Sequence, residues 1–298
     1  MASIRSSNVT LTRLRAFAGV VESGSFTAAA DLLGMTQSGV SQAISGLEQA
    51  LGAPLVRRDP GGVTATEIGE KTLNDALAAL RSVERMQQRC SDYKGLQSGT
   101  IVIGSVGSAA ARLLPQVLKE LCARHPALNV SVIEGTDPEV ADWVERGVVD
   151  FGLTADDRET LKQTVVVEDE FVAVFQSNHP LTSNERVSLR ELKDVPFVMP
   201  GASCEAPIRK MFEDVGTEPT VVCKVRGTAS LLDMVRVGIG TTLVPELCLP
   251  AEATQYATVK LDPPVVRRLL AVQHPNVEST PGVEAILALL MDLDRIGY

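Results

Sequence analysis

Cysteine, histidine and aromatic side chains are scarce in this 298-residue chain, with five, three and 4% respectively. The cysteines (Cys90, Cys122, Cys204, Cys223 and Cys248) form no C-x-x-C pair and are odd in number, which argues against a zinc ribbon and against a disulfide framework. Reduced thiols are expected. The histidines His125, His179 and His274 show no H-E-x-x-H or related spacing, so no metal is expected. No apolar run approaches the roughly 18 residues of a membrane span, and Met1–Leu11 has no apolar leader core. The expectation is a cytoplasmic protein with no membrane partner. A G-x-S-x-G elbow, a phosphate-binding loop, a G-x-G-x-x-G after a strand and an acid pair near a histidine are all missing, so neither catalysis nor a cofactor is expected.

The net charge of −9 looks unfavourable for contact with a polyanion, but it is unevenly spread. Residues 1–95 hold ten basic against nine acidic side chains, and residues 96–298 hold 18 against 28. The acid is in the second part. A near-neutral first part carrying Arg5, Arg13, Arg15, Arg57 and Arg58 permits nucleic-acid binding without announcing it.

In the first part, Leu14, Phe17 and Val21 recur at helical spacing between Thr10, placed to cap, and Gly24, placed to terminate. Ser25 caps a second helix through Leu33, and Gly34-Met35-Thr36 is a tight break of the helix-turn-helix kind. A third helix follows, with Val40, Ile44, Leu47 and Leu51 expected on one core-facing stripe. Its other face carries Ser38, Ser41, Gln42, Ser45 and Gln49. An ordinary solvated face is the plain alternative, but such faces usually carry Lys and Glu. As a recognition helix the face makes chemical sense: Gln pairs with adenine in the major groove, Ser bonds bases or phosphates, and the helix start at Thr36-Gln37 offers backbone N–H groups to a phosphate. Arg57-Arg58-Asp59-Pro60-Gly61-Gly62 reads as a turn between short strands, either a wing with arginines for the phosphate backbone or a plain hairpin. Thr66 then caps a helix whose Leu73, Leu77, Leu80 and Val83 keep helical spacing toward Tyr93. At about 40 Å, it has the length of a linker that pairs with its twin in a dimer.

Phe17, the run Gly24-Ser25-Phe26-Thr27-Ala28-Ala29-Ala30, Leu33, Thr36-Gln37-Ser38, Val40-Ser41-Gln42, Ile44, Leu47-Glu48, Leu51-Gly52, Leu55, Arg58, Thr66 and Gly69 resemble the signature of LysR-type transcription regulators. Val56, Gly39 and Gln42 depart from it, standing where Phe, Ala or Pro, and Arg are frequent. The third departure bears on which base is read.

Beyond a hinge at Gly95–Gly99, short apolar runs alternate with helical patterns, which predicts βαβ units and a mostly parallel sheet. Strands are expected at Ile101–Ile103, Val130–Ile133, Phe151–Leu153, Phe197–Met199, Val221–Val225 and Thr241–Val244, and helices at Leu113–Leu121, Val140–Val144, Ile208–Val215, Leu231–Val237 and Val283–Leu293. Phe171–Phe175 and Leu269–Val272 would cross between two lobes. This order, with Gly99-Thr100-Ile101-Val102-Ile103-Gly104, Leu113-Leu114-Pro115, Pro126, Glu134-Gly135, Gly147, Asp150, Pro180, Gly238-Ile239-Gly240 and Leu243-Val244-Pro245, resembles the LysR-type effector domain, similar in fold to type II periplasmic binding proteins. The whole therefore reads as α plus α/β: a winged helix-turn-helix DNA-binding domain (1–66), a long linker and dimerisation helix (67–95), and a two-lobed effector-binding domain (96–298). The first lobe spans about 96–170 and 269–298, the second about 171–268.

In such folds a ligand sits at strand carboxyl ends where helices begin. Ser105, Ser108, Thr136, Ser203, Cys204, Thr228 and Ser230 occupy such loops, and their hydroxyls and neighbouring N–H groups suit a small organic anion. Each could equally be a helix cap with no ligand. Cys204, a thiol at a helix start, could respond to oxidants, but Met211 and Phe212 stand where a second nearby cysteine would make a two-thiol switch. The expected partners are double-stranded DNA, read by Thr36, Gln37, Ser38, Ser41, Gln42, Ser45, Arg57 and Arg58, a small-molecule effector, and a second copy of the chain. The resemblance implies a dimer or dimer of dimers. A constitutive DNA-binding protein whose second domain only mediates assembly is the alternative.

Overall fold

A computed structural model describes residues 8–59, 62–93, 99–250 and 255–292. It divides into two units, Met1–Gly99 with Glu145–Val149, and Thr100–Val144 with Asp150–Tyr298. The hinge expected at Gly95–Gly99 falls almost wholly outside the described residues, as do Pro60 and Gly61 of the wing turn.

The first unit contains α1 (Leu11–Ser23), α2 (Phe26–Leu33), α3 (Gln37–Leu51), a hairpin of β1 (Val56–Asp59) and β2 (Gly62–Ala65), and α4 (Glu67–Tyr93). Local chemistry sets the helix starts: Thr10, Ser25 and Thr36 each accept a hydrogen bond from a backbone N–H in the first turn. The turn between α2 and α3 works because Gly34 takes φ +63°, a left-handed backbone that a side chain would strain. Val40 and Ile44 of α3 pack with Ala16, Val20, Phe26 and Ala29, while Leu47 joins Leu14, Phe17, Leu55 and Ala76. Leu51 was expected on the same stripe but is 45% exposed, since the helix ends there.

Thr66 fixes how the hairpin runs into α4. Its hydroxyl donates to Pro54 O at 2.8 Å and accepts from Gly69 N at 3.0 Å. That draws the first turn of α4 so close to the chain at Leu55 that a Cβ on Gly69 would lie 2.0 Å from Leu55 O.

The second unit continues with β3 (Gly99–Ser105), α5 (Gly107–Arg112), α6 (Leu114–Arg124), β4 (Leu128–Glu134), α7 (Asp137–Glu145), β5 (Phe151–Thr154), β6 (Lys162–Gln176), β7 (Arg186–Val187), β8 (Pro196–Pro200), α8 (Glu205–Asp214), β9 (Thr220–Val225), α9 (Thr228–Arg236), β10 (Thr242–Pro245), β11 (Tyr256–Leu261), β12 (Val266–Gln273) and α10 (Pro281–Leu290). The main sheet runs β4-β3-β5-β12-β6-β11-β7, with β10 also on β6, and β8 and β9 pair separately. It is mixed rather than mostly parallel. β3 with β5, and β8 with β9, are parallel, but the crossing strand β12 lies antiparallel to β5 and β6, and β10 and β11 lie antiparallel to β6. The helix expected at Leu113–Leu121 is α6, with Pro115, which has no N–H to give, in its first turn, and the short α5 before it was not expected. One apolar core lies under β3, α5, α6, β5 and α10, and two others fill the second lobe. Leu247, from a 3-10 turn at Glu246–Cys248 in the second lobe, is buried in the core of the first.

Gly69→Ala forces that Cβ against a backbone carbonyl. It is expected to cost about 1–3 kcal/mol, or more if the turn cannot shift. Urea unfolding of the two proteins compared at one temperature checks it; equal midpoints would show that the junction gives freely.

Candidate DNA-reading face and effector site

On α3 the side chains of Gln37, Ser38, Gln42, Ser45 and Gln49 are exposed and Ser41 is half-buried, on the face opposite Val40, Ile44 and Leu47. Thr36 is committed to its cap, accepting from Gly39 N at 3.1 Å, and its hydroxyl lies 3.1 Å from that of Ser38. The wing exists as a hairpin with Arg57 opposite Thr64 and Arg58 opposite Val63. Arg57 Nε donates to Asp59 at 3.0 Å and to Thr64 at 2.9 Å, while Arg58 lies over the Phe26 ring at 4.7 Å. Both guanidiniums are thereby oriented. Arg13, which charge alone offered as a phosphate ligand, instead donates to Gly46 O at 3.0 Å and ties α1 to α3.

In the second unit the expected effector residues divide by what their polar atoms already do. Ser105 is fully buried and donates to Val106 O at 3.0 Å. Thr136 is held by Glu139 at the start of α7: its N–H and hydroxyl both donate to that carboxylate, at 2.8 and 2.7 Å, the N–H bond being one half of a capping box. Ser203 accepts from Asp137 N at 2.9 Å, so a second-lobe hydroxyl sits on the first turn of a first-lobe helix. Thr228 and Ser230 are exposed in the first turn of α9, which has no side-chain cap. Ser108 Oγ accepts from Arg267 Nη2 at 2.8 Å.

Arg267 was not singled out by the sequence. It belongs to a buried group in which Asp169 Oδ2 accepts from Arg267 Nε at 2.9 Å and Asp169 Oδ1 accepts from Leu247 N at 3.1 Å. The only sequence signal was a charged pair, Arg267-Arg268, at the mouth of an apolar run, and such pairs are common at strand starts.

Family models for the bacterial regulatory helix-turn-helix protein, lysR family, and for the LysR substrate binding domain match residues 11–70 and 94–295. The chain belongs to the LysR family of transcription regulators. Among relatives of this LysR-type protein, the probable HTH-type transcriptional regulator LrrA of Synechococcus elongatus is 32% identical over 94% of this chain and 96% of its own. The HTH-type regulator YvbU of Bacillus subtilis is 30% identical over 87% and 90%. The crystal structure of full-length BenM, an HTH-type regulator of Acinetobacter baylyi, superposes with a TM-score of 0.60 at 26% identity, covering 96% of this chain and 97% of that one. The protein is thus a DNA-binding transcription regulator with an effector-binding C-terminal domain, and not an enzyme. Among the described residues there is no group of side chains fit to hold a metal ion and no helix long and apolar enough to cross a membrane.

In this LysR-type protein burial pushes the Cys204 thiol up, against the pull of Arg267. Cys248 is pushed up to about 12, also chiefly by burial. A thiol titrating there is about 10⁻⁵ thiolate at pH 7, and the thiolate is the reactive form. Iodoacetamide at neutral pH is therefore expected to label the exposed Cys122 and to spare Cys204 and Cys248. Peptide mapping reads the result, and rapid labelling of Cys204 would restore it as a reactive site.

The Thr136 backbone N–H, then its hydroxyl, hold the Glu139 carboxyl below its ordinary range. A depressed carboxylate contributes stability that is full above the unfolded value, near 4.3, and is lost as pH falls through the folded one. Wild type and Glu139→Gln are expected to differ in urea midpoint by a constant amount above about pH 5.5 and to converge in acid. A gap independent of pH would mean that the box contributes nothing through charge.

Proposed function

We propose that this LysR-type regulator acts in the cytoplasm, reading double-stranded DNA through α3 and the hairpin and sensing a small organic anion between the two lobes of its C-terminal domain. The observation that carries the DNA part is the α3 face: Gln37, Gln42 and Ser45 are exposed and hold no hydrogen bond among the described residues, so their donors and acceptors are available to base edges. Thr36, Ser38 and Ser41 stand at the start of the same helix, and Arg57 and Arg58 of the hairpin are the phosphate contacts. Residues 1–66 form the DNA-binding domain, 67–95 the linker that pairs with a second copy, and 96–298 the effector domain. Half-buried Leu73, Leu77, Leu80 and Val83 on α4 support the pairing, because a stripe incompletely covered within one chain gains from a twin. A dimer, or a dimer of dimers, then sets two recognition helices in successive major grooves.

For the effector, Ser108, Ser203, Cys204, Thr228 and Ser230 are the residues placed to touch a ligand, with Ser105 and Thr136 shaping their loops. Ser203 on Asp137 N is a contact between lobes that a bound anion would compete for, and that gives the ligand a differential effect on lobe closure.

The test is fluorescence-anisotropy binding of the full chain to DNA from immediately upstream of its gene, against scrambled DNA, at two salt concentrations. Gln42→Ala is expected to cost about 1–3 kcal/mol of specific binding and to relax preference at one base pair. Arg57→Ala should weaken all sequences alike and lower the salt slope by about 1. Equal weak binding to both DNAs would mean that the α3 face is only solvated surface.

A further inference from the structure

Arg267 stands near the start of β12, directly opposite Asp169 of β6. The Asp169 side chain is 1% exposed and that of Arg267 13%. Two guanidinium nitrogens, Nε at 2.9 Å and Nη2 at 2.7 Å, converge on Asp169 Oδ2, and Nη2 spends its second hydrogen on Ser108 Oγ at 2.8 Å. Nη1 makes no hydrogen bond among the described residues, and it is not among the buried polar atoms left without a partner. At least part of Nη1 is therefore open to solvent. The guanidinium favours the thiolates of Cys204 and Cys248, and its bond to Ser108 sets it at the start of α5.

A guanidinium is a rigid fork with two edges suited to two-oxygen partners. Asp169 takes the Nε/Nη2 edge. The Nη1/Nη2 edge is half occupied, by a neutral hydroxyl, and a carboxylate laid along it would replace that hydroxyl with two charge-assisted bonds. Exposed Arg226, near Gly201, offers the same charge nearby; it acts on Glu139 through charge and makes no hydrogen bond among the described residues.

We propose that Arg267 is the specificity-determining residue of the effector site, binding a carboxylate group of the effector along its Nη1/Nη2 edge, with Asp169 as the positioning residue behind it. The inference rests on the lobe junction being the effector site. Because Asp169 already neutralises the arginine, the pair carries no net charge. It selects a planar carboxylate by geometry, over the matching neutral amide, more than by bulk attraction. Ligand binding also releases Ser108 from the guanidinium, and Ser108 belongs to the first lobe while Leu247, on the far oxygen of Asp169, comes from the second.

The experiment uses the full-length protein and measures thermal shift and amide hydrogen exchange with formate, butyrate and malonate, each against its amide: formamide, butyramide and malonamide. At least one carboxylate is expected to stabilise wild type saturably, at a half-saturation at least tenfold below that of its amide, and to protect the amides of 105–108 and 201–204. The double variant R267M/D169N, which removes both charges and leaves no unpaired one, is expected to lose the tenfold preference. Asp169→Asn alone keeps the charge of the arginine but loosens its aim, and should shrink the carboxylate-over-amide preference while carboxylates still stabilise the protein, which a merely structural role for the pair would not do. Arg226→Met should keep the preference. A carboxylate that protects both loops equally in wild type and R267M/D169N, or a preference lost in Arg226→Met instead, would overturn the assignment and leave the lobe junction standing as the effector site. No stabilisation and no protection by any of the carboxylates would overturn both.

Discussion

β6 and β12 run antiparallel from Val266 opposite Glu170 to Gln273 opposite Lys162, and β6 then continues alone into the second lobe, where β10 and β11 pair with its residues 171–176. One strand is therefore shared by two lobes, and its handover point is Asp169 and Glu170. A carboxylate buried there without a partner would be costly, and Asp169 is tolerated because Arg267 and Leu247 N saturate it. That requirement propagates. Leu247 must come to Asp169, which brings the turn at Glu246–Cys248 into the first-lobe core, and Arg267 must lie flat beside Ser108, which ties down the start of α5. The floor between the lobes is thus a set of mutual commitments, and a ligand that redirects one of them is felt by both lobes.

The first unit divides its polar side chains between two uses. Thr10, Ser25, Thr36 and Thr66 are spent on backbone N–H groups, where each fixes a helix start, and Arg13 is spent on Gly46 O. Gln37, Gln42 and Ser45 are spent on nothing in the described chain. A side chain that stabilises a helix start is rigid but occupied, and one that reads a base edge must be placed yet unoccupied. The exposed face of α3 meets both conditions because Val40, Ile44 and Leu47 anchor the opposite side of the same helix.

Much of this was legible from residues alone because it depends on local rules. Helix starts at Thr10, Ser25, Thr36 and Thr66 and the stop at Gly34 follow from hydroxyl caps and a positive φ, which need no tertiary knowledge. Strands of the second unit were found from apolar runs, but their direction was not, because antiparallel pairing of β12 with β5 and β6 is decided by chain return between lobes, not by side-chain pattern. β7 and β11 were missed for want of an apolar run, and Leu51 was misplaced because periodicity does not say where cover ends. At the effector site, Ser and Thr in helix starts were visible, yet which hydroxyls remain available was not. Thr136 is taken by Glu139 three residues on, a capping-box spacing readable in the sequence, whereas Arg267 meets Ser108 from 159 residues away.

The charge distribution poses a constraint that contacts must answer. The C-terminal part carries the excess of acid, and the first 95 residues are nearly neutral. Fixed charges act in solution over a Debye length of about 8 Å at physiological salt, so the net charge of the whole chain overstates the repulsion that a charged partner meets at any one face. It also follows that the chain gains little long-range attraction to DNA. Within the first unit Arg13 is committed to α3, Arg57 shares its charge with Asp59, and Arg81 is paired with Glu84. These contacts occupy part of the positive charge of the first unit. In the reading proposed above, the donors and acceptors on α3 carry the discrimination between sequences and the phosphate contacts carry the positioning.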